Sequence, residues 1–241
     1  MSKFKVLYLS FFVFFAGCST QHYNSRGGES NVGTEWGEDV HSVVKGVHAE
    51  RAYDSPNEVV TIKYANGLMA GHNRLYSIGS QGLEYSIRDA NFNSLPIERE
   101  YSAESGRWEY VIPAPIGMTY QLFIRNHSSG TNYEVVATVD GLDVLTGQPG
   151  AFSNNGYILE AGKSLTIKGF RKNKQTEAAF QFSRVADSYA ANSRFGDTNN
   201  AGVIGFAVFE LKGKAISNLP SCSSQAFPAG TDGFAPAPCR R

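Results

Sequence analysis

From residue 58 onward apolar side chains recur at every second position, in short stretches interrupted by glycine, proline, asparagine and aspartate. A period of two places one row of side chains on each face of an extended chain, so the pattern specifies half-buried β-strands. "EVVTIKYANG" runs into a turn. Leu83, Tyr85 and Ile87 alternate in "LEYSIRD", Trp108, Tyr110 and Ile112 in "RWEYVIP", and Tyr120, Leu122 and Ile124 in "YQLFIRN". "NHSSGT" then leads to "YEVVATVDG", where Tyr133, Val135, Ala137 and Val139 repeat the pattern. A glycine-containing loop between two alternating stretches is expected to make a hairpin of them. "GYILEAG", "SLTIKGF", "AAFQFS" and "GVIGFAVFELK" complete the set.

No helical stretches separate these strands, which favours an antiparallel sandwich or barrel over a parallel sheet. The expected class is all-β, an antiparallel β-sandwich over 58–212. The 25 glycines and 12 tyrosines suit short strands and tight turns.

The other end of the chain is organised differently. Lys3 and Lys5 precede "VLYLSFFVFFAG", an apolar run well short of the roughly 20 residues needed to cross a bilayer as a helix. A basic start, a short apolar centre and small residues before a cut site are the layout of a secretory signal, here 1–17. The residues that follow, "STQHYNSRGGESNVGTEWGE", lack a sustained period and read as a flexible tether. Twenty such residues reach roughly 25 Å. Val40, Val43, Val44 and Val47 fall at helical spacing, so a short helix is expected in "DVHSVVKGVHAERA", with Gly46 weakening it. Segment 18–57 is thus expected to be tether and helix, and the Pro-, Gly- and Ser-rich tail 213–241 to be irregular.

Ala16-Gly17-Cys18 resembles the lipobox of bacterial lipoproteins, although Phe15 stands where Leu or another aliphatic residue is usual. The resemblance implies that Cys18 becomes the lipidated first residue of the mature chain. Ser19 follows it rather than the aspartate that resembles an inner-membrane retention signal, so the resemblance implies the outer membrane. Several acyl chains anchor stably, since each buried methylene contributes about 0.8 kcal/mol. Cys222 and Cys239 then form an even pair, which in an exported protein reads as a disulfide.

A second resemblance runs from about Leu83 to Glu210. "VDGLDVLTGQPG", "GYILEAGKSLTIKGFRKNKQTEAAFQFS" and "ADSYAANSRFGDTNNAGVIGFAVFE" are similar, in that order, to an uncharacterised family of exported bacterial β-rich proteins. Where its members often carry Gly-Trp-Arg-Lys, this chain has Gly169-Phe170-Arg171-Lys172. The resemblance implies export and one β-rich domain, and brings no activity, cofactor or catalytic residue with it.

Chemistry is harder to find. G-x-S-x-G, a P-loop, H-E-x-x-H and a dinucleotide fingerprint are all missing from the sequence. His72, Ser77 and Ser80 lie close together in "GHNRLYSIGSQG", but a triad is a matter of spatial geometry, and a polar loop is the plainer reading. His41 and His48 share a helical face without a carboxylate beside them, and read as solvated. Asp140-Gly141-Leu142-Asp143 offers oxygen to a calcium ion or, more simply, forms a tight turn. Asp187 and Asp197 flank "SYAANSRFG", as sugar-binding acids or as ordinary loop residues. Arg171, Lys172 and Lys174 offer a phosphate or anionic-glycan patch, against the plainer reading of a solvated turn. Trp36, Trp108 and the tyrosines provide a sugar-stacking platform or fill a core.

With 22 basic and 22 acidic residues, no net field draws the chain toward nucleic acid. The expected function is a non-enzymatic binding or assembly module on the envelope, with a protein or glycan partner and without cofactor or metal. An envelope enzyme acting on glycan through paired carboxylates, and a purely structural protein, are the alternatives.

Overall fold

The computed structural model describes residues 32–67, 74–103, 105–213 and 224–226. Cys18, Cys222 and Cys239, with the expected leader, lipid site and disulfide, lie outside them. The chain forms β1 (Val32–His41), β2 (Val44–Gly46), β3 (Glu58–Ala65), β4 (Ile78–Ser80), β5 (Leu83–Asp89) and β6 (Glu98–Ser102). It continues through β7 (Arg107–Pro113), β8 (Thr119–Asn126), β9 (Tyr133–Val139), β10 (Leu142–Asp143) and β11 (Tyr157–Leu159). β12 (Ser164–Ile167), β13 (Gly169–Arg171) and β14 (Thr176–Arg184) precede a short helix α1 (Tyr189–Asn192), and β15 (Val203–Glu210) and β16 (Ser224–Ala226) follow.

Two sheets pack face to face. One runs β1-β14-β8-β5-β4, with β12 joined to β8 and β13 to β14; the other runs β2-β16-β11-β9-β15-β3-β7-β6, with β10 joined to β9. The expected β-sandwich is therefore present. The second sheet is mixed, because β3 pairs with β7 and β2 with β16 in parallel.

The alternation read from the sequence fills the interior. Tyr85, Ile87, Tyr120, Leu122 and Ile124 of the first sheet meet Ile62, Val135, Val139, Ile204, Phe206 and Val208 of the second in one continuous core. Rings run through it in contact: Tyr64 on Phe182 (5.0 Å), Phe182 on Tyr120 (4.2 Å), Tyr120 on Phe180 (5.3 Å), Phe180 on Phe170 (5.1 Å) and Phe170 on Tyr189 (4.5 Å). Such pairs add about 0.5–1.5 kcal/mol beyond their area. A smaller cluster, Val136, Ala207 and Phe209, lies apart from this core. The Arg51 guanidinium rests 3.6 Å over the Phe209 ring.

Several expectations are corrected. The sandwich includes Val32–His41, ahead of residue 58: β1 pairs with β14 on both sides of an irregularity between Trp36 and Asp39, and Val32 and Thr34 are buried. The expected helix over Val40–Val47 is the end of β1 and the short β2. Ser42 N–H and Val44 N–H donate to the carbonyls of Gln175 and Lys174, and this tertiary ladder outweighs a helix too short to be stable alone. The expected β8–β9 hairpin does not form: β8 pairs with β5, β12 and β14, whereas β9 pairs with β10, β11 and β15. "NHSSGT" is a crossing between the sheets, locked by Asn126, whose side-chain amide donates to the carbonyls of Thr131 and Glu160. Within the tail, Ser224–Ala226 is strand rather than irregular chain.

Truncating a buried aromatic removes transfer energy and leaves a cavity. Phe182→Ala is expected to lower stability by about 3–5 kcal/mol in urea unfolding, whereas Val59→Ala, at a position 54% exposed, is expected to stay within about 0.5 kcal/mol of the parent.

Candidate functional site

The residues that looked chemical in the sequence mostly serve the interior. Asp140 and Gly141 both have positive φ (52° and 77°) and link β9 to β10 as the expected tight turn. That conformation drives the Asp140 side chain inward, where it is 1% exposed. Oδ2 accepts from Thr34 N–H at 2.8 Å, and Oδ1 from the Tyr64 hydroxyl at 2.5 Å and Gly202 N–H at 2.9 Å. Each hydroxyl has one proton. Tyr64 gives its proton to Asp140, so it accepts from Thr34 Oγ1 (2.7 Å), which in turn accepts from Tyr120 (2.6 Å). Burial pushes the Asp140 carboxyl up to about 6 against the pull of its donors.

Asp143 is buried in the same turn. Its Oδ1 accepts from the N–H groups of Leu145 and Thr146 and from the Thr146 hydroxyl, and burial again raises it to about 6. Neither aspartate faces an open coordination site.

Arg171, expected in a solvated turn, is fully buried. Its guanidinium pairs with buried Glu177 and donates to the Ser42 carbonyl at 2.5 Å and to Tyr157 at 3.3 Å, while Glu177 accepts from Lys168 N–H at 3.0 Å. The sequence offered no warning, because "FRKNKQTE" has the composition of a surface turn. Lys172 does remain outside, bridged to Asp39 at 2.5 Å. Asp187 is exposed and paired with Arg184, and Asp197 accepts from Asn199 N–H, both as loop residues. His41 and His48 are exposed, and His72 lies outside the described residues.

Near the candidate serines, Glu84 brings together Ser77 and His127. Its carboxylate lies 2.9 Å from His127 Nε2 and also takes a hydrogen bond from Ser77; the His127 contact is the main reason its carboxyl is held low. Both groups address the acid, so the serine is not placed on the imidazole as nucleophilic catalysis requires.

A broad cleft of about 1050 Å³ opens between segment 49–57 and the loop before β11, lined by Tyr53, Asn57, Glu134, Asn155 and Lys212 among others. Its inner cation, Arg51, is spent on architecture: Nε donates to Glu134 at 2.5 Å, and the terminal nitrogens donate to the carbonyls of Phe152 and Asn154.

The two tryptophans part company. Trp36 is half-buried, packed on Tyr189 at 4.9 Å and against Phe170. Trp108 is 57% exposed and Tyr101, its direct cross-strand partner, is 59% exposed. Their rings meet edge to face at 5.6 Å, and the Arg99 guanidinium lies 5.0 Å over the Trp108 ring. Cross-strand pairing puts Arg99 beside Tyr110 and Tyr101 beside Trp108, on the face that also carries Ile97 and Ile112. Ile97 and Ile112 are fully buried. The β6–β7 hairpin therefore begins inside the core and runs out beyond it, its inward face passing from half-buried Tyr110, which packs on the core, to exposed Arg99, Tyr101 and Trp108, and these four residues form a shelf. Alternation put Tyr110 on the core side, where it packs, and left Trp108 between core and stacking surface, because nothing in it tells where the opposite sheet ends.

No family model, no curated protein and no solved structure matches this chain.

The two raised aspartates set a pH dependence. With the folded carboxyl near 6 and the unfolded one near 3.8, the folded state binds more protons between those values, so stability falls as pH rises through the window and levels above it. Half-buried Glu84, Asp89 and Glu109, held low by their partners, act in the opposite sense. They cancel when the parent is compared with Asp140→Asn. The stability advantage of the parent over this variant, from denaturant midpoints, is expected to be about 2 kcal/mol larger at pH 4.5 than at pH 7.5.

Proposed function

We propose that this chain is a lipid-anchored bacterial envelope protein that acts without catalysis, as a binding or assembly module engaging its partner through the Arg99, Tyr101, Trp108 and Tyr110 shelf. The observation that carries the reading is the exposure of two contacting rings on a strand face that elsewhere packs the core. Isolated exposed apolar residues are ordinary. Two rings and a guanidinium, aligned on the paired strands β6 and β7, form a patch of the residue types that dominate binding energy.

The state of the acids supports binding over catalysis. A glycan hydrolase uses two carboxyls about 5–10 Å apart across a cleft, whereas Asp140, Asp143, Glu134 and Glu177 are each engaged by interior donors. Lipidation at Cys18 and export to the outer membrane belong to the same proposal. They rest on the lipobox-like Ala16-Gly17-Cys18, as the Cys222–Cys239 disulfide rests on the even pair that remains.

In cells producing the lipidated protein, cross-linking with a photoreactive diazirine reagent, which inserts into protein and glycan alike, is expected to yield a discrete product. The Tyr101→Ala/Trp108→Ala form is expected to lose that product at least about tenfold at an unchanged thermal midpoint, since its side chains are more than half exposed. Cys18→Ala is expected to abolish labelling by radioactive palmitate. Equal cross-linking in the parent and the double variant refutes the shelf as the partner site.

A further inference from the structure

The charge pattern of the β6–β7 hairpin divides by face. Glu100 pairs across the strands with Glu109, and Glu98 with Val111, so all three acids alternate to the side opposite the rings. On that side Glu109 is bridged by Lys63 at 2.7 Å and accepts from the Ser105 hydroxyl at 3.0 Å. Among the described residues of the two strands the shelf side carries one charge, Arg99. Among the described residues no carboxylate pairs with it, in contrast to Arg51, Arg171 and Arg184. The aromatic face thus has a net positive character, with a planar donor fork held beside it.

Size narrows the partner. A tryptophan and a tyrosine bury about 150–250 Å² each when fully covered, so two rings a little over half open offer on the order of 200–300 Å² of aromatic surface. A stable protein partner needs roughly 800 Å² on each side. Addition of a strand to the open edge of β6 is opposed by its own sequence, since Glu98, Arg99 and Glu100 place three consecutive charges on a five-residue edge strand. A ligand a few rings long fits the patch. Saccharide rings have apolar faces that stack on aromatic rings, and the guanidinium fork matches a carboxylate or phosphate oxygen pair.

We infer that the shelf binds an acidic saccharide, with Trp108 and Tyr101 as the stacking surface and Arg99 as the partner of a carboxylate or phosphate group on the sugar. The inference rests on the shelf being the binding site, as proposed above. Arg99 is placed for this because its position over Trp108 keeps the guanidinium on the ring side, where a stacked sugar presents its substituents.

The test uses the purified full-length lipidated protein in detergent, with calorimetric titration against two matched pairs. One is trigalacturonate and its carboxyl-reduced neutral counterpart; the other is a phosphorylated trisaccharide and its phosphatase-treated counterpart. At least one acidic member is expected to bind about tenfold or more tightly than its neutral counterpart, and the pair that shows this tells carboxylate from phosphate. Arg99→Gln is expected to erase that difference and Arg99→Lys to restore only part of it, because lysine keeps the charge without the fork. Trp108→Ala is expected to weaken both members of the pair. Equal binding within both pairs, or binding indifferent to Arg99→Gln, overturns the acidic assignment. If neither pair binds while the Tyr101→Ala/Trp108→Ala form still loses the cellular cross-link, the saccharide is overturned in favour of a protein partner and the shelf stands. If that double variant keeps the cross-link, the shelf reading itself fails.

Discussion

The carboxylate of Asp140 is the point on which the sandwich closes. It sits in the turn between β9 and β10 and accepts from the backbone of β1, the Tyr64 hydroxyl on β3 and the backbone entering β15. Through Tyr64 and Thr34 the chain of hydroxyls reaches Tyr120 on β8, in the opposite sheet. Four strands far apart in sequence, drawn from both sheets, thereby share one hydrogen-bonded cluster surrounded by rings. Burying a charge costs several kcal/mol unless it is met by donors, so this cluster stabilises only one arrangement of those strands. Displacing any of them strands an acid or a hydroxyl in an apolar interior. The core supplies most of the energy; Asp140 supplies the requirement that β1 lie where it does.

Two further polar stitches act on the same principle at other seams. Arg171 and Glu177, both fully buried, hold β13 against β14 and reach the Ser42 carbonyl between β1 and β2. Arg51 ties segment 49–57 to Glu134 on β9 and to the loop before β11, while its planar face covers Phe209. These links join the N-terminal 32–57 region to the body at three places. That is why the stretch behaves as part of the sandwich although its composition resembles a tether. A buried ion pair is a weak source of net stability but a strong penalty on alternatives, and here the alternatives are other registers of short strands whose hydrophobic patterns are nearly interchangeable.

The strands of the central region were legible because period-two alternation reports local burial directly, as at Leu83, Tyr85 and Ile87 or Ile204, Phe206 and Val208. Pairing was not, since alternation does not say which sheet a strand joins; "NHSSGT" has the length and glycine of a hairpin loop, yet Asn126 turns it into a crossing. β1 was missed for a related reason. Only Val32, Thr34 and Trp36 of its inward row are hydrophobic or partly so, and the burial of Thr34 depends on partners 30 and 86 residues away. Arg171 shows the converse: a charged residue in a basic turn-like run is interior because Glu177, six residues on, is interior too. Long-range complementarity of this sort leaves no periodic mark.

The shelf follows from the same geometry that hides the acids. β6 and β7 form the last hairpin of the second sheet, and the chain enters it from the first sheet through Leu95 and Ile97, both buried. The first sheet ends at β4, a three-residue strand. The row of side chains that begins with Ile97 and Ile112 continues through half-buried Tyr110 to exposed Arg99, Tyr101 and Trp108. Tyr110 still packs against the core, whereas Tyr101 and Trp108 meet chiefly each other and Arg99. Aromatic rings there cost solubility without adding to the core, and the folded chain already satisfies its charges elsewhere. The overhang is therefore set by where the hairpin runs relative to the core, and the exposure of Tyr101 and Trp108 follows from that geometry.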